Sequence, residues 1–182
     1  MKTLCVTGHR PEGLPWKKDK DCLAYKQFIT QLKTNVEYAI NKGYTHFISG
    51  GALGIDSDFA SLILLLKKEY PSITLEIAVP CKTQSSGWND EEKAEYDYIL
   101  SHADKVTILS EKYYPLCMLR RNEYMVDKSD AVLCCFNGVK KGGTYSTIKY
   151  AQKQGKNFLL IDLNEQAPNG GNQMLFFKDK II

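Results

Sequence analysis

The feature that most constrains this fold is a repeated alternation of short, continuously apolar runs with longer segments of helical periodicity. The apolar runs are Thr3 to Thr7, Thr45 to Ser49, Leu75 to Val79, Val106 to Leu109, Ala131 to Phe136 and Phe158 to Asp162. Between the first two, Ala24, Phe28, Ile29, Leu32, Val36 and Ile40 recur at helical spacing and stop before Gly43. After the second run, Ile55, Phe59, Leu62, Ile63 and Leu66 share one helical face. Further helices are predicted from an Asn89/Glu92 capping box to about Ser101, over Cys117 to Lys128, and over Thr144 to Gln154 with Gly155 as the stop. Strands without a polar face must be covered on both sides, and strands that alternate with helices run parallel. The fold class read from this is α/β: a Rossmann-like, doubly wound, mostly parallel sheet with helices on both faces. A length of 182 residues suits one domain and buries roughly 70% of the surface its unfolded chain exposes. Residues 1–182 are therefore read as a single domain, with about 164–182 as a C-terminal extension.

In such sheets a ligand sits beyond the carboxyl ends of the strands, so the strand exits are the places to inspect. They read Thr7-Gly8-His9-Arg10-Pro11, Ser49-Gly50-Gly51, Val79-Pro80-Cys81, Ser110-Glu111, and Asn137-Gly138 through Gly142-Gly143-Thr144. The run from Phe47 to Asp56 passes from a strand through Gly50, Gly51 and Gly54 into a helix. Glycines there permit close approach to the main chain, and the helix start presents unpaired N–H groups and a positive dipole end, which together form a cradle for an anion. The competing reading is a tight turn with no ligand.

The other exits supply candidates of the same kind. Gly8, His9 and Arg10 leave the first strand where phosphate would sit, Arg10 having a surface carboxylate as its alternative partner. Asp56 is placed either to contact a ribose hydroxyl or to stabilise the helix dipole. Trp88 precedes an acidic helix and is read either as a stacking platform or as a loop anchor. Asn122 is a candidate ligand contact, while one of Arg120 and Arg121 is expected on a solvated face. Glu111 and Tyr113 are weaker candidates, and His46 and His102 are read as surface or strand-edge residues. Ser49 and Thr144 complete the two glycine-rich turns.

Composition removes several classes. The net charge is +3, and the lysines fall in small groups, Lys17/Lys18/Lys20, Lys67/Lys68 and Lys140/Lys141, not in a basic stripe with interleaved aromatics. Nucleic-acid binding is thus disfavoured. The longest apolar run, Leu62 to Leu66, is too short to span a membrane. The N-terminus leads straight into a strand, which points to the cytoplasm. The six cysteines show no Cys-x-x-Cys pair and no Cys/His ligand spacing, so they are expected reduced, several in the core, with no metal site.

Taken in order, Thr7-Gly8-His9-Arg10-Pro11, the Ser49 to Asp56 turn, Trp88, Arg121-Asn122 and Gly142-Gly143-Thr144 closely resemble the YpsA family of the SLOG superfamily. Relatives in that superfamily include the DNA-processing protein DprA and the LOG phosphoribohydrolases. The resemblance extends from Thr7 to about Gly155 and implies a pocket between the two glycine-rich turns for a nucleotide or nucleotide-derived ligand of the NAD or ADP-ribose type. It implies no obligatory cofactor, and a homo-oligomer is compatible with it. LOG-type hydrolases resemble Pro-Gly-Gly-x-Gly-Thr-x-x-Glu at the second turn, with the Glu catalytic. This chain reads Lys141-Gly142-Gly143-Thr144-Tyr145-Ser146-Thr147, so Thr147 stands in the Glu position. A hydroxyl cannot replace a carboxylate at an oxocarbenium-like centre. A binder or sensor is therefore expected ahead of a nucleotide N-glycosidic hydrolase or a DprA-like DNA-associated protein.

Overall fold

The computed structural model describes residues 1–164. It contains β1 (Lys2–Thr7), α1 (Leu23–Asn41), β2 (Tyr44–Ser49), α2 (Ile55–Leu66), β3 (Thr74–Val79) and α3 (Asp90–His102). These are followed by β4 (Lys105–Ile108), α4 (Cys117–Asp127), β5 (Ala131–Phe136), α5 (Gly142–Lys153) and β6 (Asn157–Asp162). The strands form one sheet in the order β4-β3-β2-β1-β5-β6, and every pairing is parallel. The expected doubly wound α/β fold is thus present, wholly parallel among the described residues. The C-terminal extension, from residue 165 onward, lies outside the described residues.

Strand residues alternate between two cores. Leu4 and Val6 of β1, Leu75, Ile77 and Val79 of β3, and Leu133 and Cys135 of β5 pack with α1, α2 and Ile99 of α3. Cys5, Ile48, Ala78, Val132, Cys134 and Phe136 point the other way, onto Met125 and Val126 of α4 and Ile148 and Ala151 of α5. Burial on both sides is what continuously apolar strands require. β4 departs from this pattern: it is an edge strand, and Val106 and Ile108 remain 39% and 46% exposed.

The chain builds the sheet outward from β1 through β2 and β3 to β4, then crosses back by α4 to start β5 on the other side of β1. The order of strands therefore reverses between β1 and β5. Loops leaving those two strands diverge to opposite faces, and a crevice opens between them at the carboxyl ends. Two boundaries matter there. The α3 capping box forms as expected, Glu92 N donating to Asn89 Oδ1 at 2.9 Å and Asn89 N donating to Glu92 Oε2 at 3.1 Å. α5 begins at Gly142 and not at Thr144, so both glycines of that turn belong to the first turn of the helix.

Candidate functional site

A cleft of about 230 Å³ lies at the chain reversal. Seven of the expected residues line it: Gly8, His9 and Arg10 from the β1 exit, Asp56 from α2, Asn122 from α4, and Gly143 and Thr144 from α5. Ser49, Gly50, Gly51, Gly54, Gly142 and Trp88 lie outside its lining. Arg121, one of two neighbouring arginines of which one is expected to be solvated, is the residue around which the cleft is organised.

Arg121 is only 5% exposed, whereas Arg120 beside it reaches solvent and pairs with Glu123 at 2.8 Å. Its Nε donates to Asn122 Oδ1 at 2.8 Å, and its Nη1 stands 3.4 Å from Asp56 Oδ2. That Nη1 is buried and has no hydrogen-bond partner among the described residues. Burial lowers the guanidinium's pKa, Asp56 opposes the shift, and Arg10 adds like-charge repulsion. Burial likewise pushes the Asp56 carboxyl above the usual range, with Arg121 and the Ala52 backbone pulling against it. The pair is thus an incompletely compensated pair of buried charges, an arrangement that favours a further polar partner. The helix that delivers Arg121 starts from Leu116 at φ +73°, an unusual conformation for a large side chain. The signal available in the sequence was the row Cys117, Arg121 and Met125, four residues apart, all three buried on one face of α4.

The glycine-rich turn after β2 serves this arginine. A Cβ at Gly50 would lie 1.5 Å from Arg121 Nη1 and 2.4 Å from Asp56 Oδ2, so the missing side chain is the space the ion pair occupies. Gln84 Nε2 holds the turn from behind, donating to Gly50 O at 3.3 Å and Gly51 O at 3.2 Å. Ser49 Oγ donates to Asp56 O at 2.7 Å and accepts from Gly51 N at 3.1 Å. Gly54, at φ +92°, lets the turn pass the His9 carbonyl, which a Cβ would approach to 2.6 Å. The open amides expected at the start of α2 are largely taken: Ile55 N donates to His9 O, Ser57 N to Ala52 O and Asp58 N to Gly54 O. This turn therefore positions Arg121 and Asp56 and presents few free donors of its own.

The start of α5 has the character expected of an anion cradle. Its N-cap, Lys141, makes no side-chain cap. A Cβ at Gly142 would meet nothing within 4 Å, and one at Gly143 only Asn122 Nδ2 at 3.9 Å. Thr144 Oγ1 donates to Gly8 O at 2.8 Å and ties this helix start to the β1 exit. First-turn amides have no intrahelical acceptors, so those of Gly143 and Thr144 at the cleft wall can meet a ligand. Thr147 is 3% exposed and turned inward: its Oγ1 donates to Gly143 O at 2.8 Å and accepts from Asn122 Nδ2 at 2.9 Å. Asn122 thereby links Arg121 to α5, and both ends of its amide are occupied within the protein.

His9 is a strut. Its ring stacks on Phe136 with centroids 5.8 Å apart, and Asn137 N donates to its Nε2 at 3.3 Å. Burial lowers its pKa, which disfavours the charged ring. Arg10 is exposed at the rim. Trp88 packs edge-on against Tyr96 at 5.2 Å, the geometry of a loop anchor. Glu111 is on the surface, paired with Lys82 at 2.7 Å.

His46 is half-buried, not a simple surface residue, and belongs to a polar cluster on the α4 face of the sheet. Glu76, 2% exposed in β3, accepts from Thr107 Oγ1 at 2.7 Å, Tyr124 Oη at 2.8 Å and Lys105 Nζ at 3.1 Å, with His46 Nε2 also at 3.1 Å. The six cysteines are free, all but Cys22 buried. No helix among the described residues is long and apolar enough to cross a membrane.

The YpsA family model, described as the YspA SLOG family, matches residues 4–165. A UPF0398 protein of Bacillus thuringiensis (strain Al Hakam) is 28% identical over 158 residues, covering 86% of this chain and 85% of the relative. UPF0398 proteins of Bacillus cereus (strains AH187 and Q1) match at the same identity and coverage. The match begins at the β1 residues that open the cleft and runs past the end of β6, so the cleft lies wholly within it, and the chain belongs to the YpsA family of SLOG proteins.

Proposed function

We propose that the cleft binds an anionic, nucleotide-derived small molecule of the NAD or ADP-ribose type, and that the protein acts as a binder or sensor of that molecule and not as a glycosidic hydrolase. The observation that carries the reading is Arg121 Nη1 in the wall of the cleft, a buried donor that faces Asp56 but makes no hydrogen bond among the described residues. A phosphate oxygen would complete its coordination while meeting the first-turn amides of α5, and charge-assisted bonds of this kind are the strong ones. Ribose hydroxyls have Asp56 as an acceptor.

Hydrolysis finds less support. Thr147 occupies the position of the hydrolase Glu and is bonded inward, and Asp56, the one carboxylate in the cleft lining, is engaged with Arg121. Buried free thiols fit a reducing, cytoplasmic setting. The test is a mass-spectrometric inventory of small molecules retained by gently purified protein, alongside Gly143→Val, whose side chain fills the space the ligand needs. A nucleotide-type molecule kept by the wild type and lost from folded Gly143→Val is expected. Equal retention by both proteins would refute the reading.

A further inference from the structure

The molecule has a second cavity, of about 310 Å³, between the strap that follows β1, the first turns of α2 and the start of α3. It is separate from the Arg121 cleft and shares with it only the turn at Leu53. At its floor is Asp58, whose side chain is 2% exposed. Two buried carboxylates in this protein invite comparison. Glu76 is surrounded by four side-chain partners and is held down at a pKa of about 2, burial being outweighed by the His46, Thr107, Tyr124 and Lys105 bonds. Asp58 accepts one hydrogen bond, from Tyr25 Oη at 3.0 Å, and meets one ammonium, Lys20 Nζ at 3.1 Å, both on Oδ1. Among the described residues no hydrogen bond reaches Oδ2. Burial accordingly wins at Asp58 and pushes its carboxyl up, against Lys20 and Tyr25.

Lys20 shows what chemistry fits. Its half-exposed ammonium enters from the mouth and stands between Asp58 and Glu95, 3.5 Å from the latter. Lys17 and Lys18 also line the cavity, Lys18 pairing with Glu92 at 2.7 Å, while Glu91, at the rim, has no ion pair among the described residues; Leu14, Trp16 and Leu53 supply apolar wall. We propose that this cavity is a site for a small aliphatic diamine or polyamine, one ammonium taking the place of Lys20 against Asp58, the methylene chain lying on the apolar wall, and a second ammonium meeting Glu91 at the rim. Lys20 then swings into solvent, which its exposure and flexible stem allow.

The test is calorimetric titration of 1,4-diaminobutane and spermidine into the full chain at fixed ionic strength. Binding with Kd below about 1 mM is expected. Lys20→Ala should tighten it, because the competing ammonium is removed. Asp58→Asn should weaken it about tenfold or more, the range of a charge-assisted hydrogen bond. Absence of binding to the wild type, unchanged binding by folded Asp58→Asn, or loss of binding in Lys20→Ala would each overturn the proposal. Should Asp58→Asn not fold, Lys20→Ala decides alone: tighter binding supports the site, and unchanged or weaker binding overturns it.

Discussion

Replacing Gly50 by alanine separates the structural use of the glycine-rich turn from backbone preference. Gly50 is absent from the positive-φ glycines, so alanine meets no conformational penalty there. Its Cβ would nevertheless lie 1.5 Å from Arg121 Nη1 and 2.2 Å from Cζ, so the guanidinium must leave its seat over the turn. The departure separates Arg121 from Asp56. Breaking a buried ion pair costs about 3–5 kcal/mol when the remaining charge stays uncompensated, and partial relaxation of the flexible arginine brings the expected loss to about 2–4 kcal/mol. Urea unfolding would read this as a drop in midpoint of roughly 1–2 M for an m-value of about 2 kcal/mol/M. Gly142→Ala is the control: φ is +83° with open space around the position, so only the left-handed strain of about 1–2 kcal/mol applies. In an Arg121→Met background the Gly50→Ala loss should shrink, since the approaches to Nη1 and Cζ are gone and only the 2.4 Å approach to Asp56 Oδ2 remains. A Gly50→Ala protein within about 0.5 kcal/mol of wild type, or an undiminished loss in the double variant, would refute the steric reasoning.

Three further outcomes are expected. Glu76 has its pKa lowered from 4.5 to about 2, so its contribution is fully present above pH 4.5 and is lost as pH falls toward 2. The shift corresponds to about 3 kcal/mol, and Glu76→Gln should abolish that part of the acid sensitivity in urea midpoints measured between pH 7 and pH 2.5, whereas an unchanged pH profile would contradict the assignment. Chromatographic assay with nucleoside monophosphates, NAD and ADP-ribose should show no glycosidic turnover approaching about 1 s⁻¹, a rate ordinary for an enzyme on its own substrate. Asn122→Ala, which removes the link between Arg121 Nε and Thr147, should cost about 1–3 kcal/mol by leaving the buried Arg121 Nε donor unpaired, and a neutral effect in thermal unfolding would show that the chain of bonds does not support the site.

Much of the fold is legible in the residues because its signals are local. Strands buried on both faces read as apolar runs, and α1 and α2 carry their core residues Phe28, Leu32 and Val36, and Ile55, Phe59 and Ile63, at helical spacing. The turn at Gly50 is equally visible, but its role is not, because the partner that needs the space, Arg121, lies 71 positions later and arrives only through the crossover of α4. Of two neighbouring arginines on a helix one is expected to be solvated. Burial of one and exposure of the other follow from which face packs on the sheet, which is a tertiary fact. Asp58 and Glu76 are similar: each is an acid beside apolar residues, and only the contacts show that Glu76 has four side-chain partners and Asp58 two.

The most direct measurement of whether the cleft is an anion site is calorimetric titration of AMP, NAD and ADP-ribose into wild type and Arg121→Lys. Lysine keeps the positive charge opposite Asp56 but loses the planar fork that places Nη1 in the cleft wall. At least one of the three compounds should bind the wild type with Kd below about 100 μM and bind folded Arg121→Lys about tenfold or more weakly, with pyrophosphate competing. Failure of all three to bind, or equal affinity for the two proteins, would contradict it.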